Sequence, residues 1–282
     1  MSVVCRVLAR VFASEAGGGN PVTIFRTTYP LSSSIQSSLA QSCEWESVVT
    51  SPGNILSFFM PSGEQVSFCA HAAMGASYVI SDGTTSAHNS VEFHTGDFRH
   101  QIAKVDTKSN EVGLMMDTIY QEVSVDATPL LLQCGINLEH VVSSRSLNAS
   151  VARYKTLVQM VSVDALHKVS PPTNPDAFRN ACDNIDSTGL YLYSKSLSGF
   201  ECRQFPRSSG YPEDPATGIA AAALAVHLHP TYQLQQYDIY QGTAMGRPSL
   251  IQIRNIRIEN DSNIKLECWG RIEVDLMEDL KI

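Results

Sequence analysis

Charge is scarce in this sequence. Charged residues fill only 17% of the 282 positions, and the basic ones are the scarcer, 20 Lys and Arg against 28 Asp and Glu, for a net charge of −8. Neutralising nucleic-acid phosphates needs a cationic face, and no basic cluster is present, so DNA and RNA are excluded as expected partners. No apolar run reaches the roughly 20 residues of a bilayer-spanning helix; the longest, near 69–80 and 215–228, stop short. There is no CxxC pair, and the seven cysteines at 5, 43, 69, 134, 182, 202 and 268 are odd in number and widely spaced. That pattern excludes a zinc ribbon or disulfide scaffold and leads us to expect a reducing, cytoplasmic setting. The first twelve residues carry Arg6 and Arg10 inside their apolar stretch and lack a small-residue cleavage site, so they read as a strand rather than a signal peptide. HExxH, GxSxG, EF-hand loops and strand–GxGxxG–helix units are also missing, and Gly17-Gly18-Gly19 is not followed by GK[ST]. The expectation is chemistry without metal or other cofactor.

Against these absences stands an ordinary globular composition, 43% apolar, and a length that suits two domains or one large one. Short runs rich in Val, Ile and aromatics at 3–12, 22–25, 47–50, 55–60, 91–93, 189–194, 200–205 and 250–258 read as strands. Two segments break the pattern. Residues 69–80 (CAHAAMGASYVI) and 215–228 (PATGIAAAALAVHL) are apolar nearly all the way round, and a helix without a polar face must be wrapped by protein on every side. Amphipathic helices are expected at 32–42, 128–135 and 150–161. The two buried helices share a context: Pro61 precedes Cys69 by eight residues and Pro206 precedes Asp214 by eight, an offset of 145. At that offset, or one more, 55–60 meets 200–205, Ala73 meets Gly218, and His94-Thr95-Gly96 meets Tyr240-Gln241-Gly242. An internal duplication follows, with halves at 1–120 and 121–282 and a boundary near 117–125.

The first N–H groups of a helix have no internal partner, and the helix dipole adds partial positive charge there. Two repeat-related helix starts facing one another would line a cavity with donors suited to a carboxylate or a developing oxyanion. The side chains at those starts are Cys69 and His71 in one half and Glu213, Asp214 and Thr217 in the other. Taken singly, each has a plainer reading. His71 fits a satisfied core histidine, Cys69 a small buried hydrophobe, and Asp214-Pro215 an N-cap followed by a first helical proline. Their coincidence at matching positions is what points to a site. His227 and His229, beside Pro230, fit C-terminal capping better than metal ligation.

Gly19-Asn20-Pro21-Val22, Glu46-Ser47-Val48-Val49, Phe68-Cys69-Ala70-His71-Ala72, Glu213-Asp214-Pro215-Ala216-Thr217-Gly218 and Gly246-Arg247-Pro248-Ser249 resemble, in order and spacing, the phenazine biosynthesis PhzF-like isomerase family. The resemblance spans about residues 3 to 258, with EDPATG its most specific element. It implies an α+β, diaminopimelate-epimerase-like fold, in which two pseudo-symmetric halves each curl a sheet around a central buried helix with the active site between them. It further implies a cofactor-independent isomerase, a homodimer, that moves a proton on a small carboxylate-bearing substrate; the best-understood member acts on trans-2,3-dihydro-3-hydroxyanthranilate.

Carried over by motif, Glu46 is the single general acid/base, with Glu44 as a competing assignment, since alternate residues on one strand share a face. His71 and Asp214 orient the substrate. Asn20, Cys69 and Ala70 join the substrate-binding set, and backbone amides around Thr217, Gly218 and Ile219 hold the carboxylate. Ala70 stands where the family commonly has Gly, while Ile219 and Ala221 replace polar residues, which points to a more apolar or differently shaped ligand. Two other readings accompany this one: a two-base epimerase or racemase using Cys69 and Asp214, and a non-catalytic member that binds small acids or proteins.

Overall fold

The computed structural model describes residues 3–81, 88–96, 99–142, 146–260 and 262–281, and the chain forms two compact units, 1–115 with 269–282, and 116–268. The first unit contains β1 (Val3–Val11), β2 (Asn20–Arg26), α1 (Ser33–Gln41), β3 (Ser47–Ser51), β4 (Ile55–Phe59), β5 (Gln65–Val66), α2 (Ala70–Ser81), β6 (His88–Thr95) and β7 (His100–Asp106). The strand β8 (Glu111–Ile119) leads into the second unit. There follow β9 (Gln121–Val125), α3 (Thr128–Gln133), β10 (Ser146–Ser150), β11 (Lys155–Gln159), α4 (Val163–His167) and α5 (Pro175–Asn184). The second unit ends with β12 (Gly189–Lys195), β13 (Phe200–Pro206), α6 (Gly218–Tyr232), β14 (Gln236–Gln241), β15 (Ser249–Ile258) and the first part of β16 (Asn263–Lys281).

In the first unit the order β1-β2-β3-β4-β6-β7-β8-β16 closes on itself, because β16 also pairs antiparallel with β1, Val11 opposite Ile272. A closed ring leaves no open sheet edge. Its centre is α2, whose Ala72, Ala73, Met74 and Ala76 are fully buried and which touches β1, β2, β3, β4, β6 and β7. Small residues let the ring close tightly: a Cβ on Gly75 would stand 3.1 Å from Val22 and 3.3 Å from Ile24. Helix α1, capped by the Ser32 hydroxyl, lies outside over Phe25, Val49 and Phe59.

The second unit repeats the plan. Its order is β9-β10-β11-β12-β13-β14-β15-β16, and α6 touches β10 and β11 on one side and β15 on the other, so this sheet too curls around a helix. The pairing senses match strand for strand. The pairs β1/β2, β3/β4 and β6/β7 are antiparallel, as are β10/β11, β12/β13 and β14/β15; β2/β3 and β4/β6 are parallel, as are β11/β12 and β13/β14. Helices α3, α4 and α5 pack Leu130, Leu166 and Phe178 into one cluster with Leu190 and Leu192 of β12 and Phe205 of β13. Each fully buried Leu or Phe of this kind contributes about 1.5–3 kcal/mol.

Several expectations need correction. Residues 269–281 do not belong with 121–268; they return to the first unit as the partner of β1. The helix expected at 150–161 is the end of β10 followed by β11, because Lys155, Thr156, Leu157 and Val158 are all buried between β10 and β12. The second central helix starts at Gly218 rather than 215 and runs to Tyr232, past Pro230. That proline sits in the last turn, where its missing N–H forfeits one bond. The two histidines before it do not pair as caps: His227 Nδ1 lies 3.2 Å from Glu122 Oε2, and His229 Nδ1 3.2 Å from the Tyr237 hydroxyl. No helix among the described residues is long and apolar enough to cross a membrane.

Candidate functional site

In the first unit the site is built from the starts of β2, β3 and α2. Gly19 holds φ +90°, and a Cβ there would stand 2.9 Å from the Val11 carbonyl, so only glycine fits the turn that delivers Asn20 and Pro21 to β2. Asn20 is buried opposite Val11. Glu46 comes immediately before β3, and its carbonyl accepts the Thr23 N–H at 3.1 Å, which locks its backbone to β2. Glu44 and Glu46 do not share a strand face: Glu44 is exposed in the bend before β3, whereas Glu46 is 7% exposed.

Helix α2 opens at Cys69, whose carbonyl accepts the Ala73 N–H at 2.9 Å. Ala70 is buried at 8% exposure, as is His71. Cys69 Sγ lies 3.3 Å from His71 Nδ1, and the Pro21 backbone acts on the imidazole in the sense that favours its protonated form. Burial pushes the His71 pKa below its ordinary value, against the opposing pull of the Glu46 charge and the Pro21 bond. The imidazole is therefore neutral at pH 7, with one donor and one acceptor nitrogen. The unfolded chain then binds a proton at His71 that the folded chain refuses. This contribution to stability is present above the ordinary histidine value of about 6.5 and is lost as pH falls below it. Urea midpoints measured between about pH 8 and pH 5.5 should fall on acidification, and less steeply in His71→Asn.

In the second unit the six residues of EDPATG divide their labour. Glu213 forms a bidentate pair with Arg203, Oε1 to Nε at 2.8 Å and Oε2 to Nη2 at 2.7 Å, with both side chains 5% exposed. Arg203 Nη1 also donates to the carbonyls of Leu166, His167 and Val169. Glu213 is thus an anchor for the loop rather than a reacting group. Asp214 bridges to Gln204, its N–H donating to the Gln204 carbonyl at 3.0 Å. It is not the N-cap of α6, a position held by Thr217 three residues later. Asp214 Oδ1 accepts the Ala216 N–H at 3.2 Å, and Oδ2 accepts the Thr217 hydroxyl at 2.6 Å.

The Thr217 N–H, one of the amides the family resemblance assigns to the carboxylate, donates to Gln241 Oε1 at 3.3 Å. Gly218 and Ile219 follow as the first helical residues, before the Ala220 and Ala221 N–H groups close onto the Thr217 carbonyl at 3.1 and 3.0 Å. Their N–H groups lack intrahelical partners. The Gly246-Arg247-Pro248-Ser249 turn is structural: the Arg247 N–H donates to the Gly242 carbonyl at 3.0 Å, and a Cβ on Gly242 would meet the carbonyls of Arg247 at 2.2 Å and Pro215 at 2.8 Å.

Two residues at this end of the unit escaped the sequence reading. Gln241 ends β14, fully buried, where the repeat had aligned it with Thr95 without suggesting a role. Lys155, in the stretch first read as helix, is 7% exposed and donates to the Thr188 carbonyl at 3.0 Å. Burial pushes its pKa down to about 8, with Asp214 opposing the shift. A cavity of about 670 Å³ lies among α3, α4 and the 169–173 segment, and Glu46, His71, Asp214, Lys155 and Gln241 do not line it. Among the described residues no group of three His, Cys, Asp or Glu is arranged to hold a metal.

Comparison with known proteins follows the same lines. Residues 9–270 match the family model PhzC-PhzF, phenazine biosynthesis-like protein. Trans-2,3-dihydro-3-hydroxyanthranilate isomerase of Pseudomonas chlororaphis is 26% identical over 260 residues, which cover 88% of this chain and 89% of the relative. The enzyme of the same name from Pseudomonas fluorescens is 23% identical, covering 87% and 88%. Among solved structures, the PhzF-family phenazine biosynthesis protein of Bacillus anthracis superposes with a TM-score of 0.86 at 14% identity, covering 100% of both chains. A hydroxyproline epimerase from Agrobacterium vitis shares the fold more distantly, with a TM-score of 0.63 at 10% identity over 99% of this chain and 91% of that one. With its duplicated sheet-around-helix units and a family match over nearly its whole length, the chain belongs to the PhzC-PhzF family of phenazine biosynthesis-like proteins.

Proposed function

We propose that this chain is a cofactor-independent isomerase that moves a proton on a small carboxylate-bearing substrate, with Glu46 as its single general acid and base. The observation that carries the reading is a glutamate only 7% exposed, within electrostatic reach of an imidazole that burial keeps neutral. Glu46 takes a proton from a carbon made acidic by conjugation or a neighbouring carboxylate. The C–H electron pair moves into the conjugated system, and the same carboxyl returns the proton to another carbon on the same face. Neutral His71 holds the substrate without adding charge. Asp214 orients it as an acceptor, and the N–H groups of Gly218 and Ile219, at the positive end of α6, stabilise the delocalised anion. The reading takes the protein as a cytoplasmic homodimer, in line with the family resemblance and the odd, scattered cysteines.

The substrate class follows from the side chains present. Ile219 is half-buried and Ala221 fully buried at the start of α6. Ile219 therefore offers the ligand an apolar surface in place of a hydrogen-bonding group, whereas Ala221 only packs inside the unit; this favours a cyclic or unsaturated acid with few polar substituents beyond its carboxylate. The test is deuterium wash-in from D2O, read by mass spectrometry, into trans-2,3-dihydro-3-hydroxyanthranilate and into small unsaturated acids of a cell extract. Exchange into one such acid is the expected result. Binding of acids without exchange into any of them would instead establish the non-catalytic reading.

A two-base mechanism through Cys69 and Asp214 draws support from the 3.3 Å contact of the Cys69 thiol with His71 Nδ1, a base in reach of the thiol proton. Asp214 argues the other way, since both its oxygens already accept bonds from its own loop. Cys69→Ala should therefore keep exchange within about three-fold of wild type, whereas a two-base enzyme would lose about 10² or more.

A further inference from the structure

We infer that Gln241 is a positioning residue that fixes both the geometry and the proton order of the α6 start; the inference rests on the role given above to Asp214 and the α6 amides. A primary amide offers two N–H donors and two acceptor lone pairs. In Gln241, fully buried, all four are used. Oε1 accepts the Thr217 N–H at 3.3 Å and the Tyr191 hydroxyl at 3.1 Å. Nε2 donates to the Asp214 carbonyl at 2.7 Å and to Thr217 Oγ1 at 3.1 Å. Turning the amide over would set its NH2 against the Thr217 N–H and its carbonyl against the Asp214 carbonyl. Only one orientation satisfies the partners.

That orientation dictates where protons lie. Thr217 Oγ1 receives a hydrogen from Gln241, so its own single proton goes to Asp214 Oδ2, 2.6 Å away. Asp214 Oδ1 meets the Ala216 N–H. Both carboxylate oxygens are thereby held as acceptors, and a protonated Asp214 would turn a donor against a donor. The ionisable groups around this network are Asp214 itself, Lys155 on β11, Tyr191 on β12, Cys202 on β13 opposite Gln241, and Cys268 on β16. Burial holds the Tyr191 phenol protonated, so it remains a donor to Oε1. Consuming the Thr217 N–H leaves the N–H groups of Gly218 and Ile219 as the pair aimed at an incoming anion.

The test compares Gln241→Met, of equal length without polar atoms, with Gln241→Glu, which is isosteric but lacks the Nε2 hydrogens. One readout is hydrogen-exchange protection of the Thr217 N–H, which needs no ligand. The other is the rate of deuterium wash-in into trans-2,3-dihydro-3-hydroxyanthranilate. Gln241→Met should lower both about ten-fold or more while circular dichroism stays native. Gln241→Glu should keep the Thr217 protection, since a carboxyl oxygen still accepts that N–H, but its wash-in relative to wild type should be as low as that of Gln241→Met near pH 8.5 and mostly recover near about pH 5.5, where a protonated carboxyl again offers an O–H to the Asp214 carbonyl. Space-filling alone gives no such recovery.

Tyr191→Phe, which removes one of the four bonds, should have a smaller effect, about two- to five-fold, and with Gln241→Glu it decides the matter if Gln241→Met does not fold. Wild-type Thr217 protection in Gln241→Met, or a Gln241→Glu whose wash-in relative to wild type does not change with pH, overturns the inference. The proposed function fails by a separate sign: Glu46→Gln exchanging at the wild-type rate. If wild type does not exchange this probe, Thr217 protection, lost in Gln241→Met and kept in Gln241→Glu, still decides the role of Gln241.

Discussion

Glu46→Gln is expected to slow substrate proton exchange by about 10³-fold or more, while binding of the carboxylate stays within a few-fold of wild type. The amide keeps the shape and most of the hydrogen bonding of the carboxyl but cannot accept and return a proton. Glu46 sits where its backbone is fixed by the Thr23 N–H and its side chain is buried within electrostatic reach of His71, so the substitution leaves the β2–β3 pairing untouched. Glu44→Gln, three positions before β3 and exposed, is the control and should leave both quantities unchanged. Rates measured with both variants against the acid identified by wash-in separate the two carboxyls directly. Loss of exchange in Glu44→Gln, or its retention in Glu46→Gln, would move the chemistry elsewhere.

The largest effect on stability belongs to Arg203. Its guanidinium and the Glu213 carboxylate are each 5% exposed and bound by two parallel hydrogen bonds, with three backbone carbonyls completing the shell of the cation. Removing one partner strands the other as a buried, unpaired charge. Arg203→Met should cost about 3–5 kcal/mol. For a unit of this size that corresponds to roughly 10 °C in the melting temperature. The double change Arg203→Met with Glu213→Leu should cost clearly less than the single one, because the price of a buried pair lies mostly in breaking it unevenly. Calorimetry on the three proteins reads the difference. An Arg203→Met protein that melts with wild type would show that the EDPATG loop is held by something else.

How far the sequence alone discloses this molecule depends on how local each determinant is. The two central helices were legible because an apolar surface on every side, as in Ala70–Ser81 and Gly218–Tyr232, has one structural use. The duplication was legible because the spacing from Pro61 to Cys69 recurs from Pro206 to Asp214, and the strand pairings repeat in both units. The 150–161 segment misled because Val151, Tyr154, Val158 and Val161 fall at helical spacing, whereas its true environment is two flanking strands. The last strand was hidden by charge: the 273–281 portion of β16 is mostly exposed and acidic, with little alternation to mark it.

The candidate site was legible only in part. His71 and Asp214 stood out at the repeat-related helix starts, whereas Glu46 entered through a family resemblance, and no periodicity singles out Glu46 from Glu44; burial does. Asp214-Pro215 carried the ordinary signature of a capped helix and is not one, since the cap falls at Thr217. Gln241 and Lys155 could not have been found from local pattern. Their partners, Asp214 and Thr217 for one and Thr188 for the other, are brought to them by the curled sheet and are remote along the chain. Buried polar groups must find partners, but sequence does not say which.

The claim on which the mechanism rests is that one carboxyl both removes and restores the proton. With the acid that exchanges in the wash-in assay as substrate, the product formed in D2O can be examined for the face on which deuterium enters. A single-carboxyl shuttle predicts entry on the face from which hydrogen departed, unchanged in Cys69→Ala. Entry on the opposite face, abolished by Cys69→Ala, would contradict it.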